Sequence, residues 1–200
     1  MKDLVDRDPA PTARPPTRAD ARANRARILE AAYEVFRQRG LEAEMREIGE
    51  RAGVGTGTLY RHFPTRDDLV AAIVGEFVDR IRTALDAAKR ATDPVDAVRM
   101  LLAEGFRIAD YYGDMAQLFH GQLPAACAGQ FEGFDAFGSV AELVRQGIAA
   151  GGFRPELDPE IAAARLVSSF APHFYRRLRL THTMEQVVQG HVDFFLRGVG

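Results

Sequence analysis

MREIGERAGVGTGTLYRHFPTR, residues 45–66, is the stretch that decides the fold. Ile48, Ala52, Val54 and Leu59 are its apolar positions, too few to close a core by themselves, so the segment must pack on a neighbouring helix. Gly53 suits the left-handed backbone that ends a helix, which predicts two short helices crossing steeply at a glycine turn. The second helix, over about 56–62, then keeps Thr56, Gly57, Thr58, Tyr60, Arg61 and His62 off the core. Small, hydroxylated, aromatic and cationic side chains on one exposed surface fit the edges of bases and the phosphates of a DNA groove.

The neighbour is a helix over about 20–39, whose stripe Ile28, Ala32, Val35 and Phe36 ends at Gly40. Before it, residues 1–19 are rich in proline and lack apolar periodicity, as a disordered arm does. Arg14, Arg18, Arg22, Arg25 and Arg27 follow one another there with only Asp20 in opposition, forming either a solvated tail or an arm that touches phosphates. On the other side, Thr65 with Asp68 caps a long helix striped by Leu69, Ile73, Phe77, Ile81 and Leu85. Such a helix could join a DNA face to a second domain as a lever.

No strand pattern competes anywhere, so the chain is expected to be all-α with about nine helices. Asp93-Pro94 opens a helix to about Tyr112, closed by Gly113, and a short helix is expected over 114–122. Further helices are expected over 130–150, over 158–174 from Asp158-Pro159, and from the Thr183-x-x-Gln186 capping box onward. The domains are then an arm of 1–19, a three-helix DNA-binding domain of 20–66 and a helical domain of 67–200.

Composition narrows the class. The chain has 200 residues, 46% of them hydrophobic, and no apolar run long enough for a membrane span. A single cysteine, Cys127, gives no disulfide framework, and the charged, proline-rich start lacks the apolar region of a secretory signal, so a cytoplasmic protein is expected. The net charge of −2 is divided unevenly: residues 1–66 hold 13 Lys+Arg against 10 Asp+Glu, and residues 67–200 hold 13 against 18. That asymmetry favours an N-terminal DNA face. The five histidines and one cysteine lack metal-ligand spacing, and no glycine-rich loop follows a strand, so no metal, cofactor or enzymatic activity is expected.

AGVGTGTLYRHFPTRDDL, residues 52–69, resembles the DNA-binding segment of TetR-family transcriptional regulators through its Gly-Thr-Leu-Tyr run, the Phe63 aromatic position and the basic Arg66. The resemblance is good over about 20–85, and beyond that only the helix pattern agrees. It departs at Gly49, where the family usually has Ala, at Ala43-Glu44, where a Thr or Ser often caps, and at Arg66, where Lys is commonest. The resemblance implies a homodimer paired through the last two helices, a double-stranded operator as partner and a small-molecule effector, most simply as a repressor. Thr56, Gly57, Thr58 and Arg61 are the candidates for base edges, and Arg46, Tyr60, His62 and Arg66 those for phosphates.

Family members commonly bind their effector between the helices of the second domain. Here that region is aromatic: Phe106, Tyr111, Phe119, Phe134, Phe137, Phe170 and Phe174, with Met115, and with His120 and His173 as polar anchors. Each is either core or the wall of a pocket for an apolar or aromatic ligand. Phe194-Phe195-Leu196 cannot all face one core, and Ala162-Ala163-Ala164 allows close helix approach, which weakly supports pairing near the C-terminus.

Overall fold

The computed structural model describes residues 17–40, 42–118 and 123–199, with side chains except at 114–118, 172 and 198–199. Among them are nine α-helices and one 3-10 turn, and no strand. Helix α1, Arg18–Arg39, opens with a reciprocal capping box between Thr17 and Asp20. Thr17 to Ala19 therefore belong to its cap and first turn rather than to an arm, while residues 1–16 lie outside the described residues.

Helices α2, Met45–Ala52, and α3, Thr56–His62, meet at Gly53, whose φ of 64° and ψ of 36° are the left-handed values that favour glycine. The start of α2 has no side-chain cap, in keeping with Glu44 at that position. Helix α4, Arg66–Lys89, starts with Thr65 and Asp68 each accepting the other's backbone N–H. Its 24 residues span roughly 36 Å at 1.5 Å each.

Helix α5, Pro94–Leu118, runs straight through Gly113, which does not close it. Gly113 is buried, so the helix continues under tertiary packing that outweighs the weak propensity of one glycine. The separate helix expected over 114–122 is, as far as Leu118, the end of α5; residues 119–122 lie outside the described residues. A 3-10 turn, Ala125–Phe131, follows, and α6, Ala136–Ala149, begins at an Asp135 cap rather than near residue 130. The single helix expected over 158–174 is two, α7 at Pro159–Ser168 and α8 at Pro172–Arg179. Pro172 has no N–H to donate, so it starts a new helix instead of continuing the old one. Helix α9, Met184–Val199, has both halves of the Thr183–Gln186 capping box.

Two apolar cores lie along the chain. The first joins α1 to α3, the first half of α4 as far as Val78, Ile108 and Tyr112 of α5, and Cys127. The second joins Leu85 and Ala88 of α4 to α5, α6, α7, α8 and α9. Ile81 and Phe134 pack against both, so α4 passes from one core into the other. Among the described residues, no helix is long and apolar enough to cross a membrane.

Gly49 is a local weakness in this frame. A Cβ there would sit 3.4 Å from Leu59 Cδ2 and 3.4 Å from the Val54 carbonyl oxygen, ordinary contacts that need little movement. Gly49→Ala should therefore raise stability by about 0.5–1 kcal/mol through helix propensity alone, read as an increase in the urea midpoint. A lowered midpoint would mean that the α2–α3 contact cannot yield.

Candidate functional site

Leu59 is the only buried residue of α3, and it is wholly enclosed by the first core. That one side chain fixes which way the helix faces. Thr56, Gly57, Tyr60 and Arg61 lie exposed on the remaining surface, with Thr58 and His62 half-buried at its margins. No atom lies within 4 Å of a Cβ built at Gly57, so the backbone there is open to close approach by a partner. Arg61 forms no ion pair with any described residue, which leaves its guanidinium available.

The other candidate cations are held differently. Arg46 is exposed but lies 3.4 Å from Glu50 and 3.9 Å from Glu44, so a phosphate would have to compete with two carboxylates. Arg66 is half-buried: its Nη2 donates to the Ala43 carbonyl at 2.9 Å, and its buried Nε has no hydrogen-bond partner. Arg66 thus acts as a strut between the start of α4 and the loop before α2. Sequence alone could not separate this from a phosphate contact, because the same fork of donors serves both.

Two further residues support this surface. Arg51 of α2 donates to Glu34 of α1 at 2.8 Å, and Arg25 lies over the buried Phe63 ring at 4.7 Å from its centroid. Neither pair shares a helical spacing, and no local signal in the sequence marks them.

Among the described residues, the aromatic side chains of the C-terminal part meet different neighbours. Phe106 is fully buried against Phe170, Tyr175 and His191, with ring centroids 5.0, 5.5 and 4.7 Å away. Tyr111 faces α1, and Phe134 sits between the two cores beneath the Arg82 guanidinium. Phe137, His173 and Phe174 are exposed, the last two with ring centroids 4.1 Å apart and planes tilted by 46°. The side chain of Met115, and Phe119 and His120 entirely, lie outside what is described. Helical spacing identifies apolar positions but not which neighbour each will meet, and here the neighbours divide them among core, joint and surface.

Two openings among the described residues are lined by other side chains. A groove of about 800 Å³ runs between α4 and α5, with Arg80, Arg99 and Arg107 offset by Glu76, Asp79 and Glu104. Another of about 490 Å³ lies among α5, α7, α8 and α9, with Leu102, Leu166 and Phe195 below and Arg165, His182 and His191 around it. No cluster of potential metal ligands occurs among the described residues. Cys127 is buried, and burial pushes its thiol above the usual range, away from the reactive thiolate.

Comparison with known proteins places this geometry. The family model of bacterial regulatory proteins, TetR family, matches residues 28–73, which hold most of α1 together with α2, α3 and the start of α4. The HTH-type transcriptional repressor KstR2 of Mycolicibacterium smegmatis is 27% identical over 159 residues, covering 74% of this chain and 76% of that protein. Among solved structures, the TetR-family regulator PfmR of Thermus thermophilus superposes with a TM-score of 0.72 at 23% identity, covering 86% of this chain and 97% of PfmR. The regulator FadR of Bacillus subtilis, solved with stearoyl-CoA, gives a TM-score of 0.67 at 16% identity, covering 88% and 99%. The match lies on the helices that pin and present α3, and the relatives are regulators rather than enzymes. Residues 28–73 of the chain thus match the TetR family of bacterial regulatory proteins, on a fold shared with TetR-family transcriptional regulators.

Proposed function

We propose that the protein is a homodimeric repressor that places its two α3 helices in successive major grooves of a palindromic double-stranded operator, and that a small apolar or aromatic effector releases it. The observation that carries this is the division of α3 into one buried anchor, Leu59, and a surrounding surface of Thr56, Gly57, Thr58, Tyr60, Arg61 and His62. Thr56, Gly57, Thr58 and Arg61 read base edges, while Tyr60, His62 and Arg46 meet phosphates. Arg66 reaches a phosphate only with the part of its guanidinium not held by Ala43. Half-sites then lie about 34–36 Å apart.

Residues 20–66 form the DNA-binding domain in this reading, and 67–200 bind the effector and dimerise. Pairing through α8 and α9 is supported by Phe174, Leu180 and Phe194, which are 65%, 72% and 76% exposed and would leave water in a dimer. The solved complex of FadR with stearoyl-CoA supports an acyl thioester of coenzyme A as the effector class. An effector that prefers the form with mis-spaced α3 helices shifts the population away from DNA, with α4 as the lever.

Operator selection from random DNA tests the reading, followed by titration of the complex with stearoyl-CoA, a short-chain acyl-CoA and free coenzyme A. Release by an acyl-CoA but not by coenzyme A is expected; tighter binding would instead make the ligand a corepressor. In the same selection, Arg61→Ala should change the preference at one base by about 1–3 kcal/mol. An unaltered preference would remove Arg61 from base readout.

A further inference from the structure

We propose that one turn of α5, Asp110-Tyr111-Tyr112, is the joint through which packing in the C-terminal domain reaches the DNA-binding helices. It rests on the reading of the chain as an effector-released DNA binder, and it adds to the α4 lever a second route with its own residues.

Consecutive helical residues point about 100° apart, so these three side chains spread their contacts over three neighbouring helices. Asp110 faces α8, where it accepts a hydrogen bond from Tyr175 Oη at 2.6 Å and lies 3.6 Å from Arg179 Nε. Tyr111 faces α1, its ring stacked on Tyr33 with centroids 4.4 Å apart and planes 10° from parallel. Tyr112 faces α4, meeting Phe77 edge-on at 5.4 Å, and its ring also meets Tyr33 of α1 edge-on at 5.9 Å. Arg80 of α4 lies over both tyrosine rings, 5.0 and 5.4 Å from their centroids. Helices α1, α4 and α8 are thereby joined on a single turn.

Each end of the joint continues into something functional. Tyr175 stacks on Phe106, and Phe106 touches His191, which lines the groove of about 490 Å³ among α5, α7, α8 and α9. A Cβ at Gly105 would collide with the Phe170 ring, so α5 is pressed against that cluster as closely as a helix allows. At the other end, Glu34 follows Tyr33 directly and is tied to α2 through Arg51. A shift of α5 thus moves α1 together with the helix pair that presents Leu59 and its surrounding surface.

The joint also carries an unmet group. Tyr112 Oη is buried with no hydrogen-bond partner, and burial pushes its phenol up to about 12. A phenylalanine would fill the same space without that penalty. An arrangement of α5 that gave this hydroxyl a partner would be favoured by it.

The test is hydrogen exchange on the full chain without DNA or effector, comparing wild type with Tyr175→Phe, Tyr111→Leu and their combination. Tyr175→Phe keeps the buried ring and removes the hydroxyl, with its bond to Asp110 and its 3.7 Å contact to Met184 Sδ. It should change exchange of the α1 amides around Tyr33 by about fivefold, at the low end of ordinary coupling between sites. In the Tyr111→Leu background, where only the edge contact of Tyr112 with Tyr33 remains, the same change should have a much smaller effect on α1, and Asp110→Asn, which retains an acceptor for Tyr175 but gives up the charge beside Arg179, should have a smaller effect than Tyr175→Phe. Exchange altered in α8 and α9 but not in α1, or an α1 effect that persists undiminished in the double variant, would overturn the joint. Because the readout uses neither operator nor acyl-CoA, failure to bind either would count against the proposed function and not against this coupling.

Discussion

Leu59→Ala should lower stability by about 2–5 kcal/mol, the usual cost of truncating a fully buried leucine, and should weaken operator binding beyond tenfold. The reason is geometric: Leu59 is the only buried residue of α3, so nothing else in that helix holds the face proposed to meet DNA in place. The loss should be local, because among the described residues only Ile81 and Phe134 pack against both cores. Thermal unfolding followed by hydrogen exchange would show α2 and α3 opening first while α6 to α9 stay protected. Gly57→Ala is the matching control. It meets no atom within 4 Å, so stability should be unchanged or slightly raised, yet its methyl would stand on the surface proposed to meet DNA and impair binding alone. Equal effects of both variants on stability would contradict the anchoring role of Leu59.

What could be read from sequence here follows the range of the forces involved. The Thr65–Asp68 cap, the Gly53 turn and the burial of Leu59 rest on residues a few positions apart, and each is found where local spacing puts it. Pro172 is equally local, but the apolar run Leu166, Val167, Phe170 and Phe174 carries a helical period across it and masks the break. The contacts that join the two parts of the chain have no such pattern. Tyr175 meets Asp110 across 65 positions, and Tyr33 stacks on Tyr111 from another helix of the fold. Arg66 shows a different limit, since a cation at the start of α4 reads alike whether it serves a phosphate or the Ala43 carbonyl. For the aromatic residues the residue type is informative and the placement is not, because an amphipathic stripe gives no direction beyond its own helix.

Phe106 is where those two limits meet, and its truncation carries the second large effect. Phe106→Ala should cost about 3–5 kcal/mol, since the ring is fully enclosed and Phe170, Tyr175 and His191 all rest on it. If Phe106 were instead the wall of an open ligand pocket, its removal would enlarge that pocket at little cost in stability and mainly alter effector preference. The two roles therefore separate in one experiment, in which urea unfolding and acyl-CoA titration are measured on Phe106→Ala and on the milder Phe106→Leu. A large loss in the first variant, a smaller one in the second and an unchanged order of preference among acyl chain lengths are expected. The stability loss should appear in α5 to α9 and leave α3 ordered, the reverse of the Leu59→Ala pattern. A nearly neutral Phe106→Ala with a reordered chain-length preference would return this residue to the effector site and move the aromatic cluster from core to cavity.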